Sequence, residues 1–82
     1  MTNEEKYRYI LNDWKKSIEP LGDIPLNMDD ISTYATKIVQ IAGTFCKKYK
    51  DNSLEEFAYK ICEMYIDGVI GGICKAIRAV EE

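Results

Sequence analysis

Residues 54–80 read LEEFAYKICEMYIDGVIGGICKAIRAV, and the way this stretch folds decides the architecture. Ser53 and Glu56 have capping-box spacing at its start, and a single helix is predicted from Leu54 towards Val80. Laid out at 100° per residue, apolar and small side chains cover roughly 240° of its circumference. A surface helix needs an apolar stripe only a little wider than about 100°. One face holds Leu54, Phe57, Ala58, Ile61, Tyr65, Gly68, Gly72, Ala76 and Ala79; a second holds Tyr59, Ile66, Ile70, Ile73 and Ile77. A chain of 82 residues can cover one such face by folding on itself. The other is then expected to meet something else.

Glycine inside a helix costs about 1 kcal/mol relative to alanine, so Gly68, Gly71 and Gly72 together would remove about 3 kcal/mol from a small domain. Two readings are open. Gly68 and Gly72, one turn apart with Ala76 beyond them, allow a close helix–helix approach; alternatively the helix kinks or stops at Gly71-Gly72.

Two further helices are predicted upstream. The first spans about Asn3 to Ile18: Thr2 and Glu5 form a capping box, and Tyr7, Ile10, Leu11, Trp14 and Ile18 recur at helical spacing. The connector from Glu19 to Leu26 holds Pro20, Gly22 and Pro25, which disfavour helix, and its apolar residues Leu21, Ile24 and Leu26 are expected to pack. The second helix spans about Met28 to Tyr49, capped by Asn27, with Asp29 and Asp30 in its first turn. Ile31, Ala35, Ile38, Ala42, Phe45 and Tyr49 alternate steps of four and three, which suits antiparallel packing. The expectation is one all-α domain over residues 1–82, a three-helix bundle with a long glycine-containing C-terminal helix.

Composition narrows the function. A net charge of −3 argues against nucleic-acid binding, whose affinity comes from Lys and Arg on phosphates. Lys47, Lys48 and Lys50 fall at a helix C-terminus, where cations are favourable. The opening Met1-Thr-Asn-Glu-Glu-Lys lacks an apolar core, so no secretory signal is read, and the longest uncharged run of the last helix is too short to span a bilayer. The three cysteines, Cys46, Cys62 and Cys74, lack metal or redox spacing. Cys62 and Cys74 are about 18 Å apart along one helix, so all three are expected to be reduced thiols in a cytoplasmic protein.

Histidine is absent, which removes the commonest general base and metal ligand and leaves Ser17, Ser32 and Ser53 without a triad partner. Asp29-Asp30 and Glu55-Glu56 sit at helix N-termini for dipole reasons, and Glu63 with Asp67 reads as a solvated ridge. The glycines do not form a phosphate loop. No enzyme, metal or cofactor is therefore expected.

The expected activity is binding: a small acidic cytoplasmic regulator or inhibitor acting by protein–protein contact as a homodimer. Tyr59, Ile66, Ile70, Ile73 and Ile77 would be its apolar anchors and Glu63 and Asp67 its polar edge. A structural subunit of a helical assembly and a carrier of a hydrophobic ligand, held in a cavity left by the glycines, are the other classes open at this point.

Overall fold

A computed structural model of the chain describes residues 1–25 and 27–81. Leu26, expected to pack within the connector, lies outside the described residues. Every regular element among them is helical.

Helix α1 spans Asn3–Ile18 and starts as its capping box directs: the Thr2 hydroxyl accepts from the Glu5 amide and the Glu5 carboxylate from the Thr2 amide, both at 3.1 Å. It buries Ile10 and Trp14, with Leu11 and Ile18 packed beside them. Tyr7, grouped with that stripe by spacing, is exposed. A 3-10 turn at Glu19–Leu21 follows, and Gly22 leaves it at a φ of +73°, a conformation that glycine adopts without strain. Leu21 packs against the core, whereas Ile24 stays exposed. Helix α2 spans Met28–Lys48, its start held by the Asn27 side chain accepting from the Asp30 amide at 2.9 Å. The stripe read from its sequence is the one it buries, with Tyr34 buried more deeply than Ala35.

The turn after α2 departs from expectation. Asn52 captures it: its side-chain oxygen accepts from the Leu54 amide at 2.9 Å, and its carbonyl accepts from the Glu55 amide at 3.1 Å. An Asx side chain bonding two residues ahead competes with a following cap. The Ser53–Glu56 capping box does not form, and helix α3 begins at Glu55 without a side-chain cap.

The C-terminal rod is α3 (Glu55–Glu63), a π-helical segment (Met64–Ile70) and α4 (Gly71–Glu81). Both junctions keep right-handed helical angles, at Met64 (φ −57°, ψ −42°) and Gly71 (φ −59°, ψ −41°). The rod is therefore continuous through Gly71-Gly72. The Gly71 amide donates to the Ile66 carbonyl five residues back, which is the π-helical bond.

This segment changes the reading of the whole rod. Ala58, Cys62, Tyr65, Ile70, Ile73 and Ile77 are buried or packed on the core, in steps of four, three, five, three and four. The single step of five falls inside the π segment, where each turn holds an extra residue. Two groups of apolar residues whose centres lie roughly 90° apart at a uniform 100° per residue are thereby brought onto one inward stripe. Ile70 is only 6% exposed, and Ile66, Ile73 and Ile77 pack against the core. The assignment of these four isoleucines to an outward binding face is corrected accordingly.

The helices run up, down and up. α1 packs on α2 and α3, while α2 reaches further and packs on the π segment and α4. The molecule is elongated, 47 Å by 20 Å by 18 Å. Trp14, 1% exposed, stands where the helices meet, edge-on to Phe45 (5.3 Å between ring centres) and to Tyr65 (5.5 Å). Among the described residues its indole N–H has no hydrogen-bond partner. Tyr34 and Tyr65 join hydroxyl to hydroxyl at 2.7 Å, tying α2 to the π segment.

Candidate functional site

The inward turn of the isoleucines leaves another part of the rod outside. Gly68, Gly72, Ala76 and Ala79, read from sequence as a packed face, are all exposed. A Cβ placed on Gly68 or Gly72 would have no atom within 4 Å, so within this chain neither position makes the close helix contact expected of Gly68, Gly72 and Ala76. α1 covers α3, whereas α4 rests chiefly on α2. The far side of α4 consequently faces solvent.

The resulting strip is small and apolar. Gly68, Gly72 and Ala76 recur every fourth residue, and the exposed side chains of Met64 (57%), Val69 and Val80 border them. By helical position, Glu63, Asp67, Lys75 and Arg78 follow the opposite border, with acids towards the N-terminal end and bases towards the C-terminal end. All four charged residues are exposed. Of the residues proposed from sequence as an interface, Glu63 and Asp67 thus flank this strip. Tyr59 is exposed at 56% but sits beside a groove of about 440 Å³ formed with Ala42, Gly43, Cys46, Lys47 and Lys50.

Two side-chain clusters were not foreseen. The first ties α1 to the end of α2. The Asp13 carboxylate accepts from the Lys48 ammonium at 2.8 Å and from the Tyr49 hydroxyl. Burial alone would raise the Asp13 carboxyl, but the hydrogen bonds from Lys48 and Tyr49 outweigh it and hold it below the usual carboxylate range. Burial, reinforced by the bond to Asp13, pushes the Tyr49 phenol well above its ordinary value. The lysine is exposed and the tyrosine strongly protonated, so the cluster acts as a tie between helices and supplies no group poised to move a proton near neutrality.

The second cluster is a thiol pair. The sulfurs of Cys46 on α2 and Cys62 on α3 are 3.7 Å apart. Cys62 is buried, and burial, with the Cys46 contact second, pushes its thiol up to about 12. Cys46 is half-buried and borders the groove beside Lys47 and Lys50. Spacing along a single helix brings only Cys62 and Cys74 into consideration. Cys46 and Cys62 are sixteen positions apart and meet only because the α2–α3 turn brings the two helices together. Among the described residues no group of three or more acidic, cysteine or histidine side chains is placed to hold a metal ion, and no helix is long and apolar enough to cross a membrane.

The chain matches no protein-family model, no curated protein and no solved structure.

Proposed function

We propose that this chain is a protein-interaction module whose contact surface is the exposed strip of the C-terminal rod, and that its first partner is a second copy of itself. The observation that carries the reading is the pair of helical glycines at 68 and 72, each with open space where a side chain would stand. Each costs about 1 kcal/mol relative to alanine, and nothing inside the chain requires it. A second helix lying against the strip does require it, because only small residues let two backbones approach closely.

The charge order supports self-association. A two-fold axis near Gly71 and Gly72, with the rods antiparallel, sets Gly68 against Ala76 and Asp67 alongside Lys75. Glu63 of each copy then lies towards Arg78 of the other. Such a surface is complementary to itself, as a two-fold interface demands. The apolar border of Met64, Val69 and Val80 is covered in the same contact. A homodimer of this kind exposes its remaining faces, including Tyr59, to a further protein, which is how a regulator or inhibitor without catalytic chemistry acts.

Charge exchange followed by sedimentation equilibrium is the test. Asp67→Lys places like charges opposite one another twice in the dimer, and so does Lys75→Asp. Exposed pairs are worth about 0.2–1 kcal/mol each, so either variant should weaken dimerisation roughly tenfold, and the double exchange should restore it. A Cβ at Gly72 has no atom within 4 Å in the monomer, so Gly72→Leu should stay folded while abolishing the dimer. A wild-type mass of one chain at every concentration into the high micromolar range would end the proposal.

A further inference from the structure

The geometry points to a modification site at the thiol pair: we propose that Cys46 and Cys62 form a reversible disulfide that staples α2 to α3, and that the oxidant is an anionic low-molecular-weight disulfide such as glutathione disulfide. The two sulfurs already touch at 3.7 Å from neighbouring helices, so closure needs a movement of about 1.7 Å to reach a bond of about 2.0 Å. Cys46 is the entry point. It borders an open groove of about 440 Å³ whose rim carries Lys47 and Lys50. Gly43, also on that rim, has nothing within 4 Å of where its side chain would be, which keeps the approach clear. The paired ammonium groups attract a ligand bearing carboxylates.

The chemistry balances in two exchanges. The Cys46 thiolate attacks one sulfur of the small disulfide. The S–S bond breaks, one thiol leaves, and a mixed disulfide remains on Cys46. The Cys62 thiol loses its proton to solvent and attacks the Cys46 sulfur, expelling the second small thiol. Cys46 and Cys62 are together oxidised by two electrons, and one small disulfide is reduced to two thiols. Burial keeps Cys62 protonated near neutrality, so the second exchange is the slow one and accelerates as the pH rises. Cys74 lies twelve positions beyond Cys62 on the rod and takes no part.

The experiment treats the full chain with glutathione disulfide, denatures it without reductant, alkylates the remaining thiols and maps the peptides. A protease that cleaves after glutamate separates Cys62 from Cys74 at Glu63. The expected product retains one free thiol, at Cys74, and carries a cross-link between the Cys46 and Cys62 peptides. It holds no bound glutathione, and its melting temperature is raised by roughly 12–24 °C, the order that closing a loop of about sixteen residues gives. Cys62→Ser should instead retain one glutathione, on Cys46. Wild-type protein that keeps glutathione on Cys46 without closing, that reacts first at Cys74, that links two chains, or that retains all three thiols would each overturn the proposal.

Discussion

Deleting one glycine should leave this protein folded, and deleting another should destroy it. In the rod, the inward positions Ala58, Cys62, Tyr65, Ile70, Ile73 and Ile77 advance by four, three, five, three and four. Removing Gly68 turns the step of five into four, and the stripe becomes the regular alternation of an α-helix. The π segment can then close to α without rotating α4. The cost is a slide of about 1.5 Å along α2, offset in part by losing a helical glycine worth about 1 kcal/mol. The expected net loss is at most about 2 kcal/mol. If the rod were instead a uniform α-helix, the same deletion would swing everything beyond it by about 100°. Ile70 would leave the core completely and Ile73 and Ile77 in part, together about two isoleucine side chains, or about 3–6 kcal/mol. A domain of this size has little more to lose. Gly43 supplies the control, since it is also exposed with nothing within 4 Å of its missing side chain. It sits in α2, where the step from Ala42 to Phe45 is three and cannot shrink, so its deletion should unfold the chain. Denaturant melts followed by far-ultraviolet circular dichroism compare the two deletions directly. Equal and complete loss of structure in both would refute the account of the π segment.

Two other outcomes follow from the core and from the titrating groups. Ile70→Glu puts an unpaired charge at a position only 6% exposed, and should cost more than about 4 kcal/mol and abolish the cooperative melt; a folded variant would return Ile70 to the surface. Stability should also fall at both ends of the pH range. Cys62 binds its proton more tightly folded than unfolded, up to about 12 against an ordinary 9.0, so its contribution is complete below pH 9 and is lost as pH rises above it. Tyr49 and Tyr65 shift in the same direction and steepen the loss. Asp13 has the opposite sign: its depressed carboxyl contributes above the ordinary carboxylate range and ceases to as pH falls through that range. Asp13→Asn should flatten the acid limb of a melting-temperature profile and also soften the alkaline limb, because Asp13 is part of what raises Tyr49; a variant with an unchanged acid limb would remove Asp13 from this role.

What the sequence makes legible is whatever depends on short spacing. The bounds of α1, the Thr2–Glu5 box, the Asn27 cap and the heptad-like stripe of α2 are local patterns, and the structure contains each of them. The rod is harder to read because its period changes at Met64–Ile70, where a uniform 100° per residue no longer describes it. One step of five rotates every later position by about 100°, which brings the isoleucines inward and leaves the glycines outside. The step is visible in the spacing of Tyr65 and Ile70, but only to a reading that lets the period change. Ser53 illustrates a second limit: two side chains, Ser53 and Asn52, both offered to order the same turn, and the winner depended on the backbone between them, including Asp51 at a φ of +60°. The thiol pair and the Asp13–Lys48–Tyr49 tie depend on helices meeting across sixteen and about thirty-five positions, and no local pattern encodes that.

The position of Trp14 has an optical consequence. It is the single tryptophan of the chain, shut away from water and without a hydrogen-bond partner for its indole. An indole relaxes little in such surroundings, so its fluorescence should lie well to the blue of the exposed residue. It touches Phe45 on α2 and Tyr65 in the π segment from its own place on α1. Light absorbed by the tyrosines should reach it efficiently while those contacts last. One emission band therefore reports the docking of all three helices at once, and separation of any one of them should shift it to the red with no label attached.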